Sequence, residues 1–265
     1  MLAPLAAIGC VPPSSGGGGG GGTAAASEAL ASDGAEVSAA SAQAMHLDSV
    51  VFSSVSSADP AKATEQASAS DAVWPPGCVS REKIAPNQVE VTFADCTGPF
   101  GLVHLDGDEI ATFSAGASPG VLHVDVASSN LSANGKSIDH HASADLTFPS
   151  ATEIDVAWKG GWSHVTSDGR DVEHASDLSI VVDLASSCVT ANGSGDTTVD
   201  GRGVSSDIQD YQVCGGASGD ACPTGAIDLK ADESGAELTI QFDGSSDAEV
   251  TAGSRDFSVP LVCGG

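Results

Sequence analysis

The pentapeptide Gly116-Ala117-Ser118-Pro119-Gly120 matches Gly-x-Ser-x-Gly, in which a strand turns into a helix and lifts a nucleophilic serine over an oxyanion hole. Here Pro119 and the strand-like run Val121-Leu-His-Val-Asp-Val replace the helix, so a hairpin loop rich in turn residues is expected rather than a nucleophile. His140, His164 and His174 share one parity, and three imidazoles on one sheet face can ligate a transition metal. The plainer expectation is a set of polar side chains at the open end of a sheet. His140 and His141 are adjacent, so on a strand they point to opposite faces and cannot chelate together. The acidic segments Asp106-Gly-Asp-Glu109, Asp168-Gly-Arg-Asp171 and Asp243-Gly-Ser-Ser-Asp247 offer oxygens to calcium. None has the loop of an EF-hand, and Asp-Gly is also the commonest kind of hairpin turn. Trp158-Lys159-Gly160-Gly161-Trp162 reads as a sugar-stacking platform or, from its inward parity, as two core tryptophans about a glycine bend. There is no phosphate-cradling Gly-x-x-x-x-Gly-Lys. No catalytic residue, cofactor or metal is expected.

Cysteine chemistry is better specified. The chain has seven cysteines, and setting Cys10 aside for lipid leaves an even six, suited to disulfides in an oxidising compartment. Cys78 and Cys96 are symmetric about Asn87 in a Pro86-Asn87 turn, and Cys188 and Cys214 are symmetric about Gly201. Each pair would be cross-strand neighbours at disulfide distance. Cys222 and Cys263 remain and would pair by elimination, although spacing alone does not determine connectivity. No Cys-x-x-Cys pair suggests zinc.

The elements that position these residues are strands. Val89, Val91 and Phe93 alternate with polar positions, as do Ile154, Val156 and Trp158, then Leu178, Ile180 and Val182, and later Leu238, Ile240 and Phe242. Hairpin signals at Asn134-Gly135, Asp168-Gly169, Gly201-Arg202-Gly203, Ser234-Gly235 and Gly253-Ser254 separate them. Roughly ten to twelve strands in sequential order form a meander. The expected fold is mainly β, an antiparallel meander curled into an open barrel or sandwich. Paired strands must match face to face, because a one-residue slip puts an apolar face into water. For Ile154–Thr166 and Val172–Leu184 this predicts a three-residue loop Asp168-Gly169-Arg170, with His164 opposite His174.

The N-terminal region differs in composition. Leu5-Ala-Ala-Ile-Gly-Cys10 is a short apolar segment ending in small residues and a cysteine, and Val11-Pro-Pro-Ser-Ser and seven glycines, Gly16 to Gly22, follow it. It resembles the lipobox of bacterial lipoproteins, in which the cysteine becomes the lipidated N-terminus. No Lys or Arg precedes Cys10, as expected if the start codon lies upstream. The Pro/Gly tract has the composition of a flexible tether. Residues 1–10 are read as a partial signal, 11–73 as a Gly/Ala/Ser-rich tether with short helices, and 74–265 as the β domain. Asp59-Pro60 predicts a helix from Pro60 to about Ser70, and Ala39–Val51 is a second helical candidate.

Lys and Arg number 9 against 36 Asp and Glu, a formal net charge of −27. Such a surface repels nucleic acid and anionic head groups. No apolar run reaches the length of a membrane-spanning helix. A porin-like barrel would need aromatic girdles, and aromatics are 4 % here.

The pattern Val91-Thr-Phe-Ala-Asp-Cys-Thr-Gly-Pro-Phe-Gly101, with Ala221-Cys-Pro-Thr-Gly-Ala-Ile-Asp-Leu229, Leu238-Thr-Ile-Gln-Phe-Asp-Gly244 and Val259-Pro-Leu-Val-Cys263, resembles a group of uncharacterised lipoproteins from myxobacteria and related Gram-negatives. The likeness implies an envelope β domain on a lipid anchor and carries over no catalytic residue. The expected role is a lipid-anchored cell-envelope protein, at the outer membrane since Val11 rather than Asp follows the cysteine. Its β domain would bind or scaffold a protein or glycan of unspecified kind. The alternatives are a calcium- or metal-dependent adhesion module and a secreted hydrolase.

Overall fold

The computed structural model describes residues 51–52, 55–69, 78–97, 104–133, 135–166, 169–186, 188–214 and 222–261. After the helix α1 (Pro60–Ala69), the chain forms β1 (Val79–Ala85), β2 (Gln88–Thr97), β3 (His104–Ala115), β4 (Leu122–Ser128), β5 (Ser132–Ala133), β6 (Lys136–Ser150) and β7 (Glu153–Val165). It continues through β8 (Asp171–Asp183), β9 (Cys188–Val199), β10 (Arg202–Cys214), β11 (Thr224–Ala231), β12 (Glu237–Asp243), β13 (Asp247–Ala252) and β14 (Arg255–Pro260). All are antiparallel in one sheet ordered by sequence, the short β5 bridging β3 and β6 to one side. β1 and β14 end the sheet and do not pair with each other, so the meander is curled but not closed.

Alternation makes one face the core. Val124, Leu146, Ile154, Val156, Leu178, Leu229 and Ile240 are all buried and join a single apolar cluster. Outward positions carry Asp125, Ser143, Lys159, Asp177, Ser194 and Asp207, register partners from β4 to β10. Exposed charge on this face is the opposite of a lipid-facing band. No helix among the described residues is long and apolar enough to cross a membrane.

α1 begins where Asp59-Pro60 places it. The Asp59 carboxylate caps it, accepting from Ala61 N (3.0 Å) and Lys62 N (3.3 Å), while Pro60 sits where no N–H is needed. Ala63, Thr64 and Ala67 face inward and are buried, as are Val51, Phe52 and Val55. An apolar stripe of small residues thus suffices to dock α1 on β1–β3. Of the second helical candidate, only Val51 lies within the described residues.

Two bulges place the disulfides. From Arg202 to Ile208, β10 pairs with β9 in one register, and from Tyr211 to Cys214 it is shifted by a residue, so that Cys214 faces Cys188. The extra residue is taken up beside Asp210, which adopts φ 48° and donates its N–H to Asn192 Oδ1 at 2.7 Å. Asp200 and Gly201 close this hairpin with φ 49° and 80°, the paired positive values of a type I′ turn. In β2, Asp95 (φ 49°) plays the same part ahead of Cys96. Cys78–Cys96 and Cys188–Cys214 are both disulfides, the pairs that turn symmetry suggests. Cys222 is also disulfide-bonded, and Cys263, its expected partner, lies outside the described residues. Cys10 lies outside them too.

One expected register is wrong. Val165 pairs with Asp171, which leaves a five-residue loop from Thr166 to Arg170 instead of a three-residue one. Thr166 accounts for the difference, because it closes the loop by itself. Its N–H donates to Arg170 O and its hydroxyl accepts from Arg170 N, both at 2.9 Å. His174 therefore opposes Trp162, and His164 opposes Val172.

Candidate functional site

The inward face carries one transverse row of polar side chains in an otherwise aliphatic core. Register places Arg81, Val91, Glu109 and Ser128 side by side on β1 to β4. His140, Trp162, His174 and Thr197 continue the row on β6 to β9. Ser128 joins the halves, its Oγ accepting from His140 N at 2.8 Å.

Glu109 and His140 form the centre of the row. Both side chains are 0 % exposed, and Nδ1 of His140 lies 2.8 Å from Oε1 of Glu109. Burial of such a pair is tolerable only when each charge has its partner. Asp106-Gly-Asp-Glu109 is thus no turn but the middle of β3, and Glu109 shares the inward parity of Ala111 and Phe113. That parity was the available signal, and the turn-like composition hid it. Gly107 (φ 112°) permits the loop carbonyl of Asn130 to approach, where a Cβ would meet it at 1.9 Å.

Beyond Trp162 the row continues in neutral hydrogen bonds. His174 reaches Thr197 Oγ1 with Nδ1 (2.8 Å) and Ser176 Oγ with Nε2 (3.1 Å). Burial holds its pKa down at about 4, so the ring is neutral at physiological pH. His164 is half-buried, its pKa lowered for the same reason, and its ring lies 4.5 Å from that of Trp162. Trp158 and Trp162 are 1 % and 5 % exposed, so the two tryptophans are core residues and no sugar platform.

The three histidines do not converge on a metal. Trp162 stands between His140 and His174, Glu109 holds Nδ1 of His140, and Thr197 and Ser176 hold both nitrogens of His174. Among the described residues no group of three His, Cys, Asp or Glu is placed to hold an ion. Two of the acidic segments bind their own chain, one within its turn and one across strands. Asp243 Oδ1 accepts from Ser245 N at 2.9 Å, and Asp106 Oδ1 accepts from Asp95 N at 2.8 Å. Asp168 lies outside the described residues.

The Gly-x-Ser-x-Gly segment forms the β3–β4 hairpin loop, with Gly116 N donating to Val121 O at 2.9 Å. Exposed Ser118 borders an open hollow of about 230 Å³ also lined by Asp145, Asp155, Ala157 and Ser179. His123 adjoins this region, but carboxylates occupy both its nitrogens: Asp145 on Nδ1 (2.7 Å) and Asp125 on Nε2 (3.3 Å). The Asp145 hydrogen bond, with Asp125 helping, raises its pKa against a smaller desolvation effect. With Asp145 on one ring nitrogen and Asp125 on the other, His123 is held by carboxylates rather than by Ser118.

No family model, curated protein or solved structure matches this chain.

Proposed function

We propose that this chain is a lipid-anchored protein of the bacterial cell envelope, its β domain serving a non-catalytic binding or structural role outside the cytoplasm. The carrying observation is the pair of cross-strand disulfides Cys78–Cys96 and Cys188–Cys214, which belong to an oxidising compartment. The lipobox-like segment ending at Cys10 supplies the means of attachment, and the Gly16–Gly22 tract supplies reach. Diacylglycerol with an amide-linked acyl chain buries several chains at ~0.8 kcal/mol per CH₂, enough for stable anchoring where one chain is marginal. Val11 after the cysteine favours the outer membrane. A charged, regular outer sheet face suits display of a surface, and the engaged nitrogens of His123 argue against hydrolysis at Ser118.

The test is expression of the wild type beside Cys10→Ala in a lipoprotein-processing host, followed by detergent phase partition. The wild type enters the detergent phase and the variant the aqueous phase. Equal partition of both into water would defeat the anchor.

A further inference from the structure

We propose that the inward row Glu109–His140–Trp162–His174–Thr197 is an acid-sensitive latch, which keeps the hairpin-tip end of β7–β9 shut while the His174 ring is neutral and releases that end when this ring takes up a proton. Three observations carry it. Glu109 and His140 are wholly buried, and His174 is 4 % exposed, so none of the three can be charged independently without its surroundings rearranging. His174 has only hydroxyls as partners, Thr197 and Ser176, and no carboxylate to balance an imidazolium. Finally, the row lies just beneath two hairpin tips, the Thr166–Arg170 loop and the Asp200-Gly201 turn. Asp200 N donates to Asp171 O (2.9 Å) and Asp171 N to Asp200 Oδ1 (3.0 Å) between the tips. Fraying from the tips to His174 breaks few ladder bonds, whereas the middle of the sheet would have to unfold cooperatively.

The ionisable groups facing this latch among the described residues are Glu109 from β3, His140 from β6, His164 from β7 and, at the far end of the row, Arg81 from β1. β9 and β10 present only Thr197, Gly195 and Ser206. A proton added to His174 therefore meets two hydroxyls, Thr197 and Ser176, and no hydrogen-bonded carboxylate. The ring of Trp162, 4.5 Å from His164 and 6.2 Å from His174, is a built-in reporter of their ionisation.

The experiment is amide hydrogen exchange of the full chain at pH 7 and pH 5, corrected for intrinsic rates, on wild type, His174→Gln and the outer-face control His123→Gln. With His174 at about 4 in the closed form and 6.5 when released, opening at β7–β9 becomes about twenty-fold more frequent at pH 5 from this group alone. β11–β13 peptides stay protected, His123→Gln behaves as wild type, and His174→Gln loses most of the increase. A uniform increase across the sheet, no increase, or an unchanged increase in His174→Gln would overturn the latch. If His174→Gln does not fold, the imidazole signal of His174 in the wild type decides. A midpoint near 6.5 without enhanced exchange at β7–β9 overturns the proposal, and a midpoint near 4 with enhanced exchange supports it.

Discussion

Glu109 on β3 and His140 on β6 meet at 2.8 Å across the intervening β4, both side chains fully removed from water. An ionic or proton-sharing contact this deep contributes more to choosing one register than to net stability, since apolar substitutes of similar shape often match it. Removing one partner is another matter. Glu109→Leu alone is expected to cost about 3 kcal/mol or more by leaving His140 without its carboxylate. The double replacement Glu109→Leu/His140→Leu is expected to cost less than either single change. Urea unfolding of the three variants measures both numbers.

Acid stability follows from His174. Its folded-state pKa of about 4 lies below the unfolded 6.5, so the stabilising neutral form is fully present above pH 6.5. Stability is lost as pH falls from 6.5 to about 4, by about 3 kcal/mol in total. His123 acts in the opposite sense. Its raised pKa gives stability that is present below 6.5 and lost as pH rises through the folded value, and its exposure makes this small. Denaturant unfolding at pH 7 and pH 4.5 should therefore show a loss in wild type that His174→Gln reduces and His123→Gln does not.

Gly161 and Gly169 should respond differently to alanine. A Cβ at Gly161 would lie 2.4 Å from His174 O, backbone that cannot move without breaking the β7–β8 ladder. At Gly169 nothing lies within 4 Å, and only the φ of 88° is strained. Gly161→Ala is expected to cost about 2–3 kcal/mol and Gly169→Ala about 1 kcal/mol, both read from thermal unfolding.

The Cys188–Cys214 bridge spans 26 residues of sequence, and in the chain-entropy model its removal costs about 3.5 kcal/mol. Cys188→Ala/Cys214→Ala, compared with wild type in urea, should show that loss without a change in the β-sheet circular dichroism spectrum.

Period-two alternation made most of the meander readable before any coordinates, because a half-buried strand must alternate. Turn symmetry located both bridges, although Cys188 faces Cys214 only because a bulge at Asp210 adds one residue to a two-residue turn. What stayed hidden depended on tertiary space. Asn192-Gly193-Ser194-Gly195 has turn composition yet lies in the middle of β9, since a Cβ at Gly193 would meet Asp177 O at 2.2 Å and one at Gly195 would crowd His174 and Ser206. Glu109 was hidden for a related reason: a partner that helps make an inward carboxylate tolerable, His140, lies 31 residues on. The loop after Val165 depended on one hydroxyl, that of Thr166, which no spacing rule weighs.

The most direct test is the mass of the N-terminal peptide of the protein recovered from cell envelopes. A peptide beginning at Cys10 and carrying the mass of a diacylglyceryl group plus an amide-linked acyl chain is the expected result. An unmodified Cys10, or a mature peptide containing Leu5-Ala-Ala-Ile-Gly ahead of it, would contradict the lipid anchor and the envelope function built on it.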